Sequence, residues 1–159
     1  MLIVLFGESC TGKSTLADLL AKATDGRVMT GKDYLKLAKS ESEAQAAFTA
    51  LMKEKLSSAD TLIVVFSEPA QLALAPQGAV RVLMTAPLDV ICERFRSRMH
   101  RQLPPPVEAM LRRKHGQMDD LPHELRLESG AQTPEEARDK VLALRRRRSD
   151  GLHLFDRRG

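Results

Sequence analysis

The sequence predicts a three-layer α/β fold with a mostly parallel sheet, and three observations carry that expectation. The run Leu2–Phe6 is continuously apolar, 61–66 is apolar after Thr61, and 79–84 is apolar but for Arg81. Runs of this kind form strands covered on both faces, as in parallel sheets. Segments of helical period lie between them: residues 13–23, with Leu16, Leu19, Leu20 and Ala23 on one face, and residues 40–57, with Ala44, Ala47, Phe48 and Leu51 as the stripe. A glycine-bounded loop at 7–12 joins the first strand to the first helix, the start of a βαβ unit.

The other elements follow in order. Residues 26–30 form a short second strand. Pro87 opens a helix with the stripe Leu88, Ile91, Phe95 and Met99. The run Leu103-Pro104-Pro105-Pro106 breaks the chain, and a further helix is expected over 107–117. Residues 124–127 suit a last edge strand. Thr133-Pro134-Glu135-Glu136 is a capping-box helix start, and that helix is expected to reach Arg148. The tail 149–159 reads as polar and frayed.

Composition narrows the function classes. The chain has 159 residues, 43% apolar and 29% charged, which suits one globular domain over 1–159. The formal net charge of +4 favours anionic ligands. Aromatic residues are only 4%, which argues against nucleic acid as a partner, because stacking platforms are scarce. Cys10 and Cys92 are too few for a disulfide framework and read as free thiols in a reducing compartment. No stretch approaches the ~20 apolar residues of a membrane span, and the apolar start is too short for a signal peptide. A cytoplasmic protein is the expectation.

Gly7-Glu8-Ser9-Cys10-Thr11-Gly12-Lys13-Ser14 matches G-x-x-x-x-G-K-[ST], the P-loop. Glycines let such a loop turn back so that several N–H groups face phosphates, and the following helix adds its positive end. Lys13 is expected to reach the β- and γ-phosphates, Ser14 to ligate Mg²⁺, and the backbone from Gly7 through Thr15 to cradle ATP or another nucleoside triphosphate. The strand before the motif and the amphipathic helix after it give the required setting.

Several P-loop classes are excluded. Regulatory GTPases need an Asn-Lys-x-Asp segment, which is absent. Transport and motor ATPases need a longer chain and a strand ending in Asp, whereas the strand over 61–66 leads into Ser67-Glu68. The small phosphotransferases remain, and they need a mobile basic lid. Residues 96–114 suit one: the helix leading into it carries Arg94, Arg98 and Arg101 on one face, and Arg112, Arg113 and Lys114 follow the proline break. Arginines converging on the transferring phosphoryl group supply the charge neutralisation this chemistry requires.

At these residues the chain resembles the nucleoside-monophosphate kinase superfamily of P-loop kinases, guanylate kinases in particular. The likeness rests on the P-loop and its helix, on Glu93-Arg94-Phe95-Arg96-Ser97-Arg98 as the helix entering a lid, and on Met110-Leu111-Arg112-Arg113 as the helix leaving it. It also takes in Met118-Asp119 and Gly31-Lys32-Asp33-Tyr34, whose tyrosine would contact an acceptor phosphate. The resemblance implies a P-loop NTPase fold with a helical lid and a five-stranded sheet in the order 2-3-1-4-5. The family's arginine-rich acceptor segment before Gly31 is missing, so the acceptor region is reduced or rebuilt. Shikimate and gluconate kinases share the fold and are the alternative resemblance.

Asp33 follows the second strand, near the carboxyl ends where α/β ligand sites form. It would deprotonate an alcohol acceptor, hold Mg²⁺ or ligand beside a phosphate acceptor, or simply cap a turn. Glu68 is placed to meet the acceptor or the outer shell of Mg²⁺, or to sit in a loop before Pro69. Tyr34 suits an acceptor contact or packing equally. Arg145-Arg146-Arg147-Arg148 reads as a solvated helix end. The expected function is Mg²⁺- and ATP-dependent transfer of the γ-phosphoryl group to a small acceptor. A nucleotide-binding regulator and a polynucleotide-end kinase are the rival uses of the same parts.

Overall fold

Strand β1 (Leu2–Phe6) is apolar and buried at every position, which puts it in the middle of the sheet. It pairs in parallel with β3 (Leu62–Phe66) on one side and β4 (Val80–Thr85) on the other. Strand β2 (Arg27–Thr30) adds in parallel outside β3, and β5 (Leu125–Glu128) outside β4. The order is β2-β3-β1-β4-β5, as the resemblance implied. The computed structural model describes residues 1–156, with side chains through Arg147.

Alternation along β1 builds the three layers, because successive side chains leave opposite faces of a strand. Leu2, Val4 and Phe6 meet Ala44, Phe48 and Met52 of α2 (Glu41–Leu56). Ile3 and Leu5 meet Leu16, Ala17 and Leu20 of α1 (Lys13–Thr24) and Ala137 and Val141 of α6 (Pro134–Asp156). Caps fix the helix starts: Ser40 Oγ accepts from the Glu43 N–H at 3.2 Å, and Thr133 Oγ1 accepts from the Glu136 N–H at 3.1 Å.

Two helices stand at the carboxyl end of the sheet. They are α4 (Leu88–Arg98) and α5 (Pro105–Lys114), and Ile91, Cys92 and Leu111 form a third small core with Cys10 and Ala86. The P-loop is thus packed directly against the helical pair that follows β4. Among the described residues no helix is long and apolar enough to cross a membrane.

The structure differs from expectation at several element ends. Helix α5 begins at Pro105, inside the segment read as a break, because prolines are compatible with a helix's first turn. Met52 rather than Leu51 is the buried residue of the α2 stripe. A four-residue helix α3 (Pro69–Leu72) and a 3-10 turn (Asp33–Leu37) are both too short to show a period. The expected frayed tail is helical as far as Asp156, so Arg145, Arg146 and Arg147 lie within α6 and not at its end. The Arg148 side chain and residues 157–159 lie outside the described residues.

Candidate functional site

The P-loop leaves the carboxyl end of the central strand. The Gly7 N–H donates to the Phe66 carbonyl at 3.2 Å, tying the loop to β3. A Cβ on Gly7 would stand 2.1 Å from the Met84 carbonyl oxygen, so only glycine fits between β1 and β4 there. Cys10 (φ 65°) and Gly12 (φ 91°) take left-handed backbone, which folds the loop back toward α1. Thr11 Oγ1 donates to the Glu8 carbonyl at 2.8 Å and closes the loop from inside.

Lys13 is buried, and its Nζ donates to the Gly7 carbonyl at 2.8 Å and to the Glu8 carbonyl. Burial pushes its pKa down from 10.5 to about 8, and the nearby Arg98 guanidinium pushes the same way. A cation this close to titrating inside a loop of carbonyls and N–H groups gains strongly from an anion beside it.

The arginines divide. Arg94 Nη1 donates to the Cys10 carbonyl at 2.9 Å, bracing a residue whose left-handed backbone is costly for a side chain with a Cβ. Arg98 lines both cavities that flank the P-loop. Arg101 does not share their face: α4 ends at Arg98, and His100 and Arg101 turn left-handed (φ 54° and 66°). Arg112 pairs with Glu108 at 2.9 Å and is exposed, as is Arg113, and neither lines the cavities around the loop.

The acceptor candidates also divide. Asp33 caps its turn: Oδ2 accepts from the Thr30 N–H at 2.8 Å, and that bond holds its carboxyl below the usual range. It is not among the residues lining the cleft beside the P-loop. Tyr34 is buried and stacks on Phe48 with ring centroids 5.1 Å apart, which makes it a core residue. The expectation of an acceptor contact at Tyr34 does not match that placement. Glu68 does face the cleft, and its carboxylate accepts from Lys114 Nζ at 3.2 Å.

Sequence reasoning gave no role to Gln71, His115 or Lys32. Gln71 Oε1 accepts from the Ser67 and Glu68 N–H groups at 3.0 and 3.1 Å and fixes the turn after β3. His115 Nδ1 lies 3.1 Å from Glu8 Oε1, joining the residue after α5 to the P-loop. Lys32 lines the cleft. These contacts join residues 46 and 107 positions apart for Lys114–Glu68 and His115–Glu8, and no local pattern announces them.

A cavity of about 470 Å³ opens between the P-loop and the ends of β2 and β3, lined by Lys13, Ser14, Lys32, Glu68 and Arg98 among others. A second, of about 410 Å³, lies on the other side of the loop between Arg94, Gly130 and Pro134. Ser14 and Glu68 in one cavity suit a magnesium ion, which takes few protein oxygens and fills its shell with water and phosphate.

No family model matches the chain, and no curated protein matches it. Solved structures do. A gluconokinase from Sinorhizobium meliloti 1021 aligns over 96% of this chain and 95% of its own, at TM-score 0.59 and 19% identity. Shikimate kinase from Acinetobacter baumannii, in complex with shikimate, aligns over 90% and 91%, at TM-score 0.63 and 16% identity. The chain has the fold of the P-loop small-molecule kinases. A third protein of this fold, YorR from Bacillus subtilis in complex with phosphorylated GDP, aligns over 91% and 95%, at TM-score 0.62 and 18% identity. Each covers the P-loop kinase fold almost from end to end.

Proposed function

We propose that this chain is a Mg²⁺-dependent P-loop kinase that moves the γ-phosphoryl group of ATP, or of another nucleoside triphosphate, to a small acceptor. The observation that carries the reading is Lys13. It is buried in a left-handed glycine loop at the amino end of α1, with Arg98 on the same cavity wall. That is a phosphate cradle with a second cation poised over it.

Lys13 and the backbone from Gly7 through Thr15 hold the β- and γ-phosphates. Ser14 would ligate Mg²⁺, with Glu68 in its outer shell or toward the acceptor. Mg²⁺, when bound, would supply charge neutralisation to the phosphates. Arg98 neutralises charge on the transferring group, and Arg94 keeps Cys10 and the loop in shape. Helices α4 and α5 act as the lid over the reaction. Asp33 serves as a turn cap.

ATP consumption with Mg²⁺ against nucleoside monophosphates, polyols, sugar acids and short oligonucleotides tests this. Stimulation by one small acceptor well above background hydrolysis supports it. Nucleotide binding without stimulation by any acceptor favours a regulator, and stimulation by oligonucleotide ends favours the polynucleotide kinase.

A further inference from the structure

The wall of the 470 Å³ cleft that faces the P-loop is made where β2 and β3 end. Gly31 follows one strand, Ser67 and Glu68 follow the other, and the half-buried Gln71 side chain joins them. Gln71 Oε1 accepts from the Ser67 N–H at 3.0 Å and from the Glu68 N–H at 3.1 Å. Only the oxygen of an amide can accept from N–H groups, so these two bonds fix which way round the amide stands. Nε2 is thereby turned onto Gly31. A Cβ there would lie 2.2 Å from Nε2 and 2.6 Å from Cδ, so the amide fills the space that a side chain at 31 would need. Gly31 is not one of the left-handed glycines, and the close approach of Gln71 is therefore what glycine serves at this position. Nε2 carries two N–H bonds, and neither has a protein acceptor among the described residues.

We propose that Gln71 is a specificity-determining residue for the acceptor. Its oxygen holds the turn that carries Glu68, and its Nε2 donates to an oxygen of the bound acceptor. This rests on the phosphotransfer reading and adds a residue to it. The other groups at these two strand ends are less suited to fix a guest. Asp33 accepts from the Thr30 N–H and lies outside the cleft lining, and Tyr34 is stacked in the core. Lys32 lines the cleft but is exposed, and no bond among the described residues ties its ammonium. The Gln71 amide is held at two points, so its donor is oriented before anything binds, which lowers the entropy lost on binding. A site built round such a donor rejects compounds that lack the matching oxygen.

The test separates the oxygen's task from the nitrogen's. Gln71→Glu keeps an oxygen for both N–H groups and places no donor where Nε2 stood. Gly31→Ala leaves the amide chemically whole and displaces it, because only a flexible side chain has to move. Steady-state transfer of phosphate from ATP, with Mg²⁺, is measured on the whole protein with GMP, gluconate, shikimate and glycerol as probes. For a probe that the wild type phosphorylates, Gln71→Glu should raise the acceptor KM about 10-fold or more. The KM for ATP and the thermal denaturation midpoint should stay where they were. Gly31→Ala brings no charge and should raise the same KM, which separates a lost donor from repulsion by a new carboxylate. The double variant should be no worse than the worse single one, because both changes remove one interaction. Gln71→Met, which loses the turn bonds as well, should also lower kcat. A residue that only braced the turn would leave the acceptor KM unmoved in Gln71→Glu.

An unchanged acceptor KM in Gln71→Glu, an equal rise in the KM for ATP, or effects of the two single changes that multiply in the double variant overturns the proposal. If calorimetry shows that ATP binds and that no probe does, Gln71 loses its acceptor role while nucleotide binding stands. If ATP does not bind, phosphotransfer falls, and titration of the same probes still decides Gln71. Binding that Gln71→Glu weakens about 10-fold keeps the residue in the site, and binding it leaves unchanged removes it.

Discussion

At the scale of residues the site depends on Lys13 being buried and on a loop that only its glycines permit. The lysine's pKa falls from 10.5 to about 8 because burial disfavours its charge. The unfolded chain therefore binds a proton between pH 8 and 10.5 that the folded chain has released. Stability without ligand should rise with pH across that window, and Lys13→Met should flatten the rise in thermal denaturation. A triphosphate restores the favoured charge. Binding just above pH 8 should take up protons, seen as a dependence of calorimetric heat on buffer ionisation enthalpy, and Lys13→Met should lose that uptake. Gly7 is as unforgiving: with the Met84 carbonyl oxygen 2.1 Å from a would-be Cβ, Gly7→Ala should cost ~3 kcal/mol or more and abolish triphosphate binding. A folded Gly7→Ala variant of normal affinity would contradict the described geometry.

The motif was legible at this scale because a P-loop is local, with all its parts inside nine residues of chain, Gly7 through Thr15. Tyr34 and Asp33 were not, because their roles depend on partners. Phe48 stacks under the tyrosine, and the Thr30 N–H occupies the aspartate. Tyr34→Phe is expected to leave acceptor affinity unchanged, as steady-state kinetics would show. A raised KM would return the tyrosine to the site.

At the scale of elements the segment of α4 and α5 is joined to the P-loop at two points and to the turn after β3 at a third. Arg94 holds Cys10, His115 meets Glu8, and Lys114 meets Glu68. Arg94 is the partly buried one, and its bond supports a strained residue. Arg94→Ala should cost roughly 1–3 kcal/mol of stability and slow turnover more than it weakens nucleotide binding. Turnover equal to wild type would remove the arginine from the site. Edge strands were the weak elements to read. Strand β2 has one buried residue of four and β5 likewise, whereas β1 and β3 are buried throughout and showed as continuous apolar runs. The length of α6 was hidden by Ser149 and Gly151, which read as a tail and lie inside the helix.

At the scale of the whole molecule, the three layers follow from the alternation of β1 against helices on both faces. Phe48 sits at the centre of one face, fully buried between Tyr34 and Phe66, and Phe48→Ala should cost about 3–5 kcal/mol by denaturant unfolding. The sheet order places β2, β3 and β1 side by side, so the P-loop after β1, Ser67 and Glu68 after β3, and Gly31 and Lys32 after β2 line one cleft. Sequence patterns alone supplied the layers, and the resemblance supplied the order. The cleft's pairing of Glu68 with Lys114 needed the fold.

The most direct test of the central claim follows the terminal phosphate itself. ATP labelled at the γ-phosphorus is incubated with Mg²⁺, the protein and small acceptors (nucleoside monophosphates, polyols and sugar acids), and the products are separated. The account predicts label on an organic ester, and a loss of about 100-fold or more in Lys13→Ala. Label found only as inorganic phosphate, at the same rate with and without every acceptor, would contradict it.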